Sequence, residues 1–109
     1  MKSTLIVILN WNNSELTIDL LKQFKLKDDN CDYCIVDNNS EKKDTDNLIK
    51  FVKATDDYFI EDKNKKNELK GRHKYYLILN NLNEGYAKGN NLGAILGFKL
   101  KYTYLIISN

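Results

Sequence analysis

The chain has 109 residues, of which 42% are hydrophobic and 29% charged, with a formal net charge of +2 and no proline. This size and composition predict one folded domain or a part of one, residues 1–109, and exclude an intrinsically disordered chain. The near balance of charge gives no indication of a nucleic-acid partner.

The first predicted elements are a strand and a helix. Residues 3–9, STLIVIL, form a short apolar run that is typical of a strand covered on both faces of a parallel sheet. The next segment, SELTIDLLKQF, has helical spacing, and Asn12 with Glu15 predicts a capping box at its start. The apolar run Leu5 to Leu9 is too short for a signal-peptide core or a membrane span, so we expect a cytoplasmic protein.

The second predicted strand, residues 33–37, adjoins the only two cysteines of the chain. Cys31 and Cys34 form CDYC, a spacing found in zinc sites and redox pairs. A structural zinc needs four ligands, and the chain offers no second pair and only His73 as an imidazole. We therefore interpret both as reduced, partly buried thiols and expect neither stoichiometric zinc nor a disulfide.

The remaining elements continue the alternation of strands and helices. DTDNLIKFVKA predicts a second helix, YYLILN at 75–80 a third strand, LGAILGF the core of a third helix, and YTYLIIS at 102–108 a fourth strand. This order predicts an α/β fold, Rossmann-like, with a mainly parallel sheet and flanking helices.

A long polar connection, residues 55–74, separates the second predicted helix from the third strand and is interpreted as an insertion. Its basic residues would attract an anionic membrane or a polyphosphate, but a solvated loop with an exposed His73 accounts for them as well and is the favoured interpretation. These basic residues are Lys63, Lys65, Lys66, Lys70, Arg72 and Lys74.

Polar residues gather where the predicted strands end, in NWNN, DNNS, NNLNEGYAKGNN and SN. Ligands of open parallel sheets bind at this edge, so we expect the four clusters to face one crevice. Gly85 and Gly89 are predicted to allow a tight turn and a close approach to a ligand, and the following helix offers amides to a phosphate. Ordinary turn and cap roles remain the alternative, and neither a dinucleotide fingerprint nor a P-loop is present.

Four motifs in order, IVILNWNN, IVDNNS, NEGYAKGNN and YLIISN, resemble the N-terminal half of the family 2 inverting glycosyltransferases with the GT-A fold. The resemblance is to bacterial rhamnosyltransferase-like members that build surface polysaccharides, and it covers the chain apart from 55–74. It implies transfer of a sugar from a UDP- or dTDP-linked donor to a hydroxyl of a saccharide or lipid-linked acceptor, with inversion. It also allows peripheral association with the inner face of the membrane.

The resemblance implies roles for individual residues. Asp37 would pair with the base or the ribose, with capping of the next turn as the alternative, and Asn83 opens the matched pattern N-x-G-x-A-x-x-x-N. Lys88 would approach the diphosphate or remain an exposed helix residue, and Trp11 would flank the base or belong to the core. The implied nucleotide-sugar-binding residues are Leu9, Asn10, Trp11, Asp37, Asn39, Gly85, Ala87, Lys88, Asn91 and Asn109.

The metal site and the catalytic base of the resembled family fall outside the implied residues. Asn109 matches the first position of an acidic metal motif whose aspartate would follow it, and the general base would lie in the acceptor-binding half. The resemblance thus implies Mg²⁺ or Mn²⁺ for a full-length enzyme, no metal held tightly by 1–109, and no activity from 1–109 alone. The alternative is a non-enzymatic module that binds a nucleotide or a polyanion.

Overall fold

Five strands and three helices make up the computed structural model, which describes residues 2–27, 30–62, 68–82 and 85–108. Every strand pair is parallel, in the order β3-β4-β2-β1-β5, which confirms the predicted α/β fold with a Rossmann-like parallel sheet. The elements in chain order are β1 (Thr4–Asn10), α1 (Ser14–Lys27), β2 (Cys31–Asn38), α2 (Lys42–Lys53), β3 (Tyr58–Asp62), β4 (Tyr75–Asn80), α3 (Tyr86–Lys99) and β5 (Tyr104–Ser108).

The central strands are buried on both faces of the sheet, which explains their continuous apolar sequences. Ile6 and Ile8 point into a core that α1 and α2 cover, and we call this side the α1–α2 face. Leu5 and Val7 point into a second core under α3, and we call this side the α3 face. Alternate residues of each strand therefore pack against different helices.

Glycines allow α3 to lie close to β1. A methyl group at Gly89 would overlap Leu9, and one at Gly93 would overlap Val7, because the helix backbone passes directly over these side chains. Gly89 was predicted to let the backbone approach a ligand closely. This reason is wrong, because Gly89 faces β1 and its missing side chain leaves room for Leu9. Gly85, with φ of 85°, makes the predicted tight turn before α3.

The interpretation of 55–74 as a polar loop is wrong in part, because the segment contains β3. Residues 58–62, YFIED, pair in parallel with β4 at the edge of the sheet. Phe59 packs against the α3-face core and Ile60 against the α1–α2 core. Because charged residues flank this short strand on both sides, its apolar centre gave no clear strand pattern in the sequence.

The basic residues that end this segment are not simply solvated. Arg72 donates hydrogen bonds to the backbone carbonyls of Leu100, Lys101 and Lys2, and its guanidinium lies 4.0 Å from the centre of the Tyr102 ring. The Arg72 guanidinium thus joins separate segments of the chain at the amino-terminal edge of the sheet. The solvated-loop interpretation is therefore wrong for Arg72.

Two neighbours of Arg72 also make specific contacts. The Lys74 ammonium donates to the carbonyl of Cys31 over 2.6 Å, so this lysine is not simply solvated either. His73 is only partly exposed, with Nδ1 2.7 Å from a carboxylate oxygen of Asp57, which corrects its interpretation as an exposed residue without a role.

The predicted capping box at the start of α1 does not form. Asn12 adopts a left-handed conformation with φ of 49°, and its side-chain oxygen accepts a hydrogen bond from the Glu41 N–H over 2.7 Å. Asp44 of α2 instead accepts the Ser14 N–H over 2.9 Å. A cap from a different helix has no signature in the local sequence.

The two cysteines lie on opposite faces of β2. Cys31 packs with the α1–α2 core and Cys34 with the α3 core, and both are free thiols. Burial raises the pKa of the Cys34 thiol far above its ordinary value. The alternation of strand side chains therefore accounts for the absence of a bond between two cysteines three residues apart.

Within the described residues, no helix combines the length and the apolar composition that crossing a membrane requires.

Candidate functional site

The carboxyl ends of the strands are the natural place for a site in this topology. From β1 the chain moves to β2 on one side, whereas β5 lies on the other side of β1. Ligands of open parallel sheets bind outside the carboxyl ends at such a reversal of strand order. The seam between β1 and β5, with the loops around it, is therefore the candidate site.

On the α1–α2 face, a set of polar side chains at this edge forms a closed network, which we call the polar hub: Asn10, Asp37, Ser40, Asp44 and Thr45. Asp37 is only 2% exposed and accepts hydrogen bonds from Asn10 over 3.0 Å, Ser40 over 2.5 Å and Thr45 over 2.8 Å. The hub thus ties the end of β1 to the start of α2.

Asn10 is the centre of this hub. It is 1% exposed, its amide nitrogen also donates to Asp44 over 2.9 Å, and its oxygen accepts from the Thr17 hydroxyl over 2.7 Å. Both of its polar atoms are committed to internal partners. The predicted binding residues Asn10 and Asp37 therefore act in this structure as supports for the loops of the edge.

Asp44 also holds the start of α1. Desolvation alone would raise its pKa, but hydrogen bonds from Ser14, Asn10 and Ser40 outweigh it and hold the pKa of Asp44 below the ordinary value. The carboxylate is therefore ionised at neutral pH. It occupies the positive end of the α1 dipole, where a phosphate would otherwise bind.

A cleft of about 400 Å³ lies beside the hub, between the starts of α1 and α2. Three carboxylates line it, those of Glu15, Glu41 and Asp44, against the single cation of Lys43. This excess of negative charge disfavours a phosphorylated ligand in the cleft.

On the α3 face the same edge is built differently. Asn80 donates to Asn38 over 3.0 Å, and the Asn38 amide lies 3.4 Å from the carbonyl oxygen of Gly85. These contacts fix the start of α3 over the ends of β2 and β4. Neither Asn38 nor Asn80 was among the predicted site residues, although both belong to the asparagine clusters at the strand ends.

The start of α3 has the electrostatics of an anion site. The first intrahelical bond runs from the Gly89 N–H to the Gly85 carbonyl, and among the described residues no side chain caps the helix. Glu84 directly precedes Gly85 in the sequence, but the first turn of α3 contains no acidic residue, and Lys88 is exposed there. The helix dipole and this charge favour a negatively charged ligand.

The other predicted site residues are divided around the edge. Trp11 is 56% exposed directly after β1, and Asn39 is exposed with φ of 60° after β2. Leu9 packs under α3 at Gly89. Ala87 and Asn91 are exposed on α3.

Two predicted positions, Asn83 and Asn109, lie outside the described residues. All four clusters were expected to face one crevice. In the structure the clusters share one edge of the sheet, but their side chains are divided between its two faces. Asp44 and Asn90 are further edge residues that were not among the predicted site residues. Asn90 is only 8% exposed, and no hydrogen-bond partner of its Oδ1 atom exists in the described part of the chain.

Metal ligands are not assembled in the ranges that the structure describes, where no group of three His, Cys, Asp or Glu side chains is placed to hold an ion. Two carboxylates of this edge, Asp37 and Asp44, are already engaged in hydrogen bonds within the hub. The described residues therefore do not fit the metal that the resemblance implies for a full-length enzyme.

Comparison with known proteins gave no match: neither a scan against protein-family models, nor a search of curated proteins, nor a search of solved structures found one.

Proposed function

We propose that this chain is the donor-binding part of a glycosyltransferase and holds a nucleotide-diphosphate sugar at the carboxyl edge of its sheet. The observation that carries the proposal is the start of α3 over the ends of β2 and β4, which has no side-chain cap and no acidic residue in its first turn. The four motifs that resemble inverting glycosyltransferases supply the sugar-transfer part of the proposal. The donor would be UDP- or dTDP-linked.

The proposed arrangement assigns a task to each part of the edge. The diphosphate lies at the first amides of α3, where the helix dipole and Lys88 balance its charge. Trp11, exposed beside the end of β1, offers a flat apolar surface for the base. The polar hub fixes the loop that carries Trp11, because the Asn12 N–H donates to Ser40 over 2.8 Å.

In the proposed reaction, an acceptor hydroxyl attacks the anomeric carbon as the bond from that carbon to the diphosphate oxygen breaks. The hydroxyl proton goes to the general base that the resemblance implies in the acceptor-binding half. Negative charge then develops on the departing nucleotide, and the start of α3 stabilises it electrostatically. Sugar nucleotides are cytoplasmic metabolites, so the proposal places the protein in the cytoplasm.

The alternative is a non-enzymatic module that binds a nucleotide or a polyanion. Its polyanion form loses support from the contacts of Arg72 and Lys74, which bind backbone carbonyls at the opposite edge of the sheet. Its nucleotide form uses the same start of α3, so binding alone does not separate it from the enzyme. Detection of sugar transfer by a protein containing this domain would decide between them.

Trp11 provides the test, because it is the only tryptophan of the chain. Titration with UDP, dTDP and uridine should change Trp11 fluorescence, with the diphosphates binding more tightly than the nucleoside. Lys88→Glu should weaken UDP binding by about threefold or more, since it reverses charge at the positive end of a helix. Lys43→Glu makes the same change at the acidic cleft and should leave UDP binding unchanged.

Two results would contradict the proposal. One is equal affinity for UDP and uridine, which would remove the phosphate from the site. The other is a larger effect of Lys43→Glu than of Lys88→Glu, which would move the anion to the α1–α2 face. Residues 1–109 alone should bind the donor without turnover, and metal-dependent transfer by them would contradict the assignment of a donor-binding part.

A further inference from the structure

A buried amide on α3 has a hydrogen-bonding atom that the fold leaves unused. Asn90 is more than nine-tenths buried, yet its Oδ1 atom has no partner among the residues that the structure describes. A buried polar group without a partner costs free energy, and folded proteins contain few of them. An acceptor of this kind suits a ligand that brings a donor.

Asn90 lies at the carboxyl edge of the sheet, because its neighbour Gly89 lies against Leu9 of β1 and Asn38 of β2. Gly97 lies over Leu105 of β5, and Asn90 lies seven residues earlier, which is close to two turns of the same helix face. Two turns correspond to about 10.5 Å, or about three residues of strand. Because α3 runs opposite to the strands, Asn90 lies near the level of Ser108, at the carboxyl end of β5.

The buried amide and the start of α3 are close enough to serve one ligand. From the first amides of α3, at Tyr86 and Ala87, Asn90 is about one helical turn away, or about 5.4 Å along the axis. A sugar attached directly to a phosphate presents its ring hydroxyls at about this separation. The phosphate would take the helix amides, and a hydroxyl would donate to Asn90.

We propose that Asn90 Oδ1 accepts a hydrogen bond from a hydroxyl of the sugar that is attached to the diphosphate at the start of α3. This inference rests on the proposed function and goes further, because it assigns recognition of the transferred sugar to a residue outside the predicted set. Asn90 is thus a specificity residue for the donor sugar, distinct from the residues that hold the base.

The test compares Asn90→Leu with the parent chain, using UDP and UDP-glucose as probes, and dTDP and dTDP-glucose as a second pair. The parent should bind at least one sugar nucleotide more tightly than its diphosphate. Asn90→Leu should lose this preference, about threefold to tenfold for one hydrogen bond between uncharged groups, and keep its affinity for the diphosphate. Asn30→Leu, the same change at the opposite edge, should behave like the parent.

Thermal unfolding without ligand gives a second, independent readout. Leucine has nearly the shape of asparagine and removes the unpartnered oxygen, so the Tm of Asn90→Leu should equal or exceed that of the parent. A lower Tm would show that Asn90 serves the fold, and would overturn the inference whatever the binding result.

The binding outcomes separate this inference from the function on which it rests. If the parent binds UDP or dTDP but has no preference for the sugar nucleotide, or if Asn90→Leu keeps that preference, the inference is overturned and the nucleotide site stands. If the parent binds neither diphosphate, the proposed function fails and the inference fails with it.

Discussion

The two faces of the sheet end in polar residues at the same edge, but they use them in opposite ways. On the α1–α2 face, Asp37 and Asn10 are buried and every polar atom of Asp37 meets a partner of the hub. On the α3 face, the helix start is uncapped in the described residues and Asn90 keeps an unused oxygen. A saturated cluster stabilises the fold, whereas unused hydrogen-bonding capacity is available to a ligand.

Charge separates the two faces in the same way. The cleft on the α1–α2 face is lined by Glu15, Glu41 and Asp44, whereas the first turn of α3 contains Lys88 and no acidic residue. The asparagines of the edge are similar in sequence, so their number does not reveal which of them bind. Burial, partners and neighbouring charge together make that distinction.

The largest effect that we expect is a loss of stability in Asp37→Ala. Removing the carboxylate leaves Asn10, Ser40 and Thr45 without their acceptor, so we expect the free energy of unfolding to fall by about 2 to 4 kcal/mol. Urea denaturation measures this fall. Asp46→Ala, which removes an exposed carboxylate from the same region, should change it by less than about 1 kcal/mol.

The hypothesis that Asp37 binds the nucleotide directly predicts a different outcome for the same variant. In that case Asp37→Ala would lose affinity for UDP or dTDP and keep the stability of the parent. Such a result would place the ligand on the α1–α2 face and end the distinction between the two faces.

The next prediction concerns Arg72 at the amino edge of the sheet, where we expect the polar contacts to stabilise the fold and to bind no ligand. Arg72→Ala removes three hydrogen bonds to carbonyls and the contact with Tyr102, so we expect a loss of about 2 kcal/mol and unchanged UDP affinity in the folded fraction. Arg72→Lys should restore only part of the loss, because an ammonium cannot reproduce the planar fork. Lys70→Ala, an exposed neighbour, should match the parent; a loss of UDP affinity in Arg72→Ala would contradict a purely structural role.

The smallest effects concern pH, where two carboxylates should act with opposite sign. The pKa of Asp44 is lowered, so its hydrogen bonds stabilise the fold above the ordinary value of 3.8, and this contribution is lost as pH falls through the lowered pKa. Asp44→Asn should therefore destabilise by about 1 kcal/mol or less at neutral pH, with the difference vanishing in acid.

Asp32 lies at the amino edge, where burial raises its pKa although the Tyr102 hydroxyl donates to it over 2.5 Å. A raised pKa means that the contribution is full below 3.8 and is lost as pH rises through the raised value. Asp32→Asn should therefore gain stability relative to the parent as pH increases. Urea titrations from about pH 3 to 7 measure both variants, and a trend of the same sign in both would contradict the opposite environments of Asp44 and Asp32.

Sequence patterns predicted the sheet well because its strands are buried on both faces and its helices alternate with them. They missed β3, whose apolar centre, Phe59 and Ile60, is too short to stand out between charged residues. They also missed the use of Arg72, because its partners are backbone carbonyls of Lys2, Leu100 and Lys101, far away in the chain. Contacts with backbone atoms leave no pattern in the sequence.

The candidate site was predicted only as an edge of the sheet. The ends of the four predicted strands were placed to within one residue. Whether a residue such as Asn10 points toward α1 or α3, however, changes with a shift of a single residue along the strand. Asn90 lies in the cluster NNLNEGYAKGNN but was not selected from it, since an asparagine inside a helix is usually a surface residue. Only its burial and its unused oxygen distinguish it from exposed Asn91.

The most direct test of the central claim is a map of amide and indole chemical shifts in ¹H–¹⁵N NMR spectra recorded with and without UDP. We expect the largest changes at the start of α3, at Ala87, Lys88 and the Asn90 side chain, together with the Trp11 indole. Amides of the acidic cleft, such as Asn47, should change little. Changes centred on that cleft or on the amino edge at Arg72, or no changes at millimolar UDP, would contradict a nucleotide site on the α3 face.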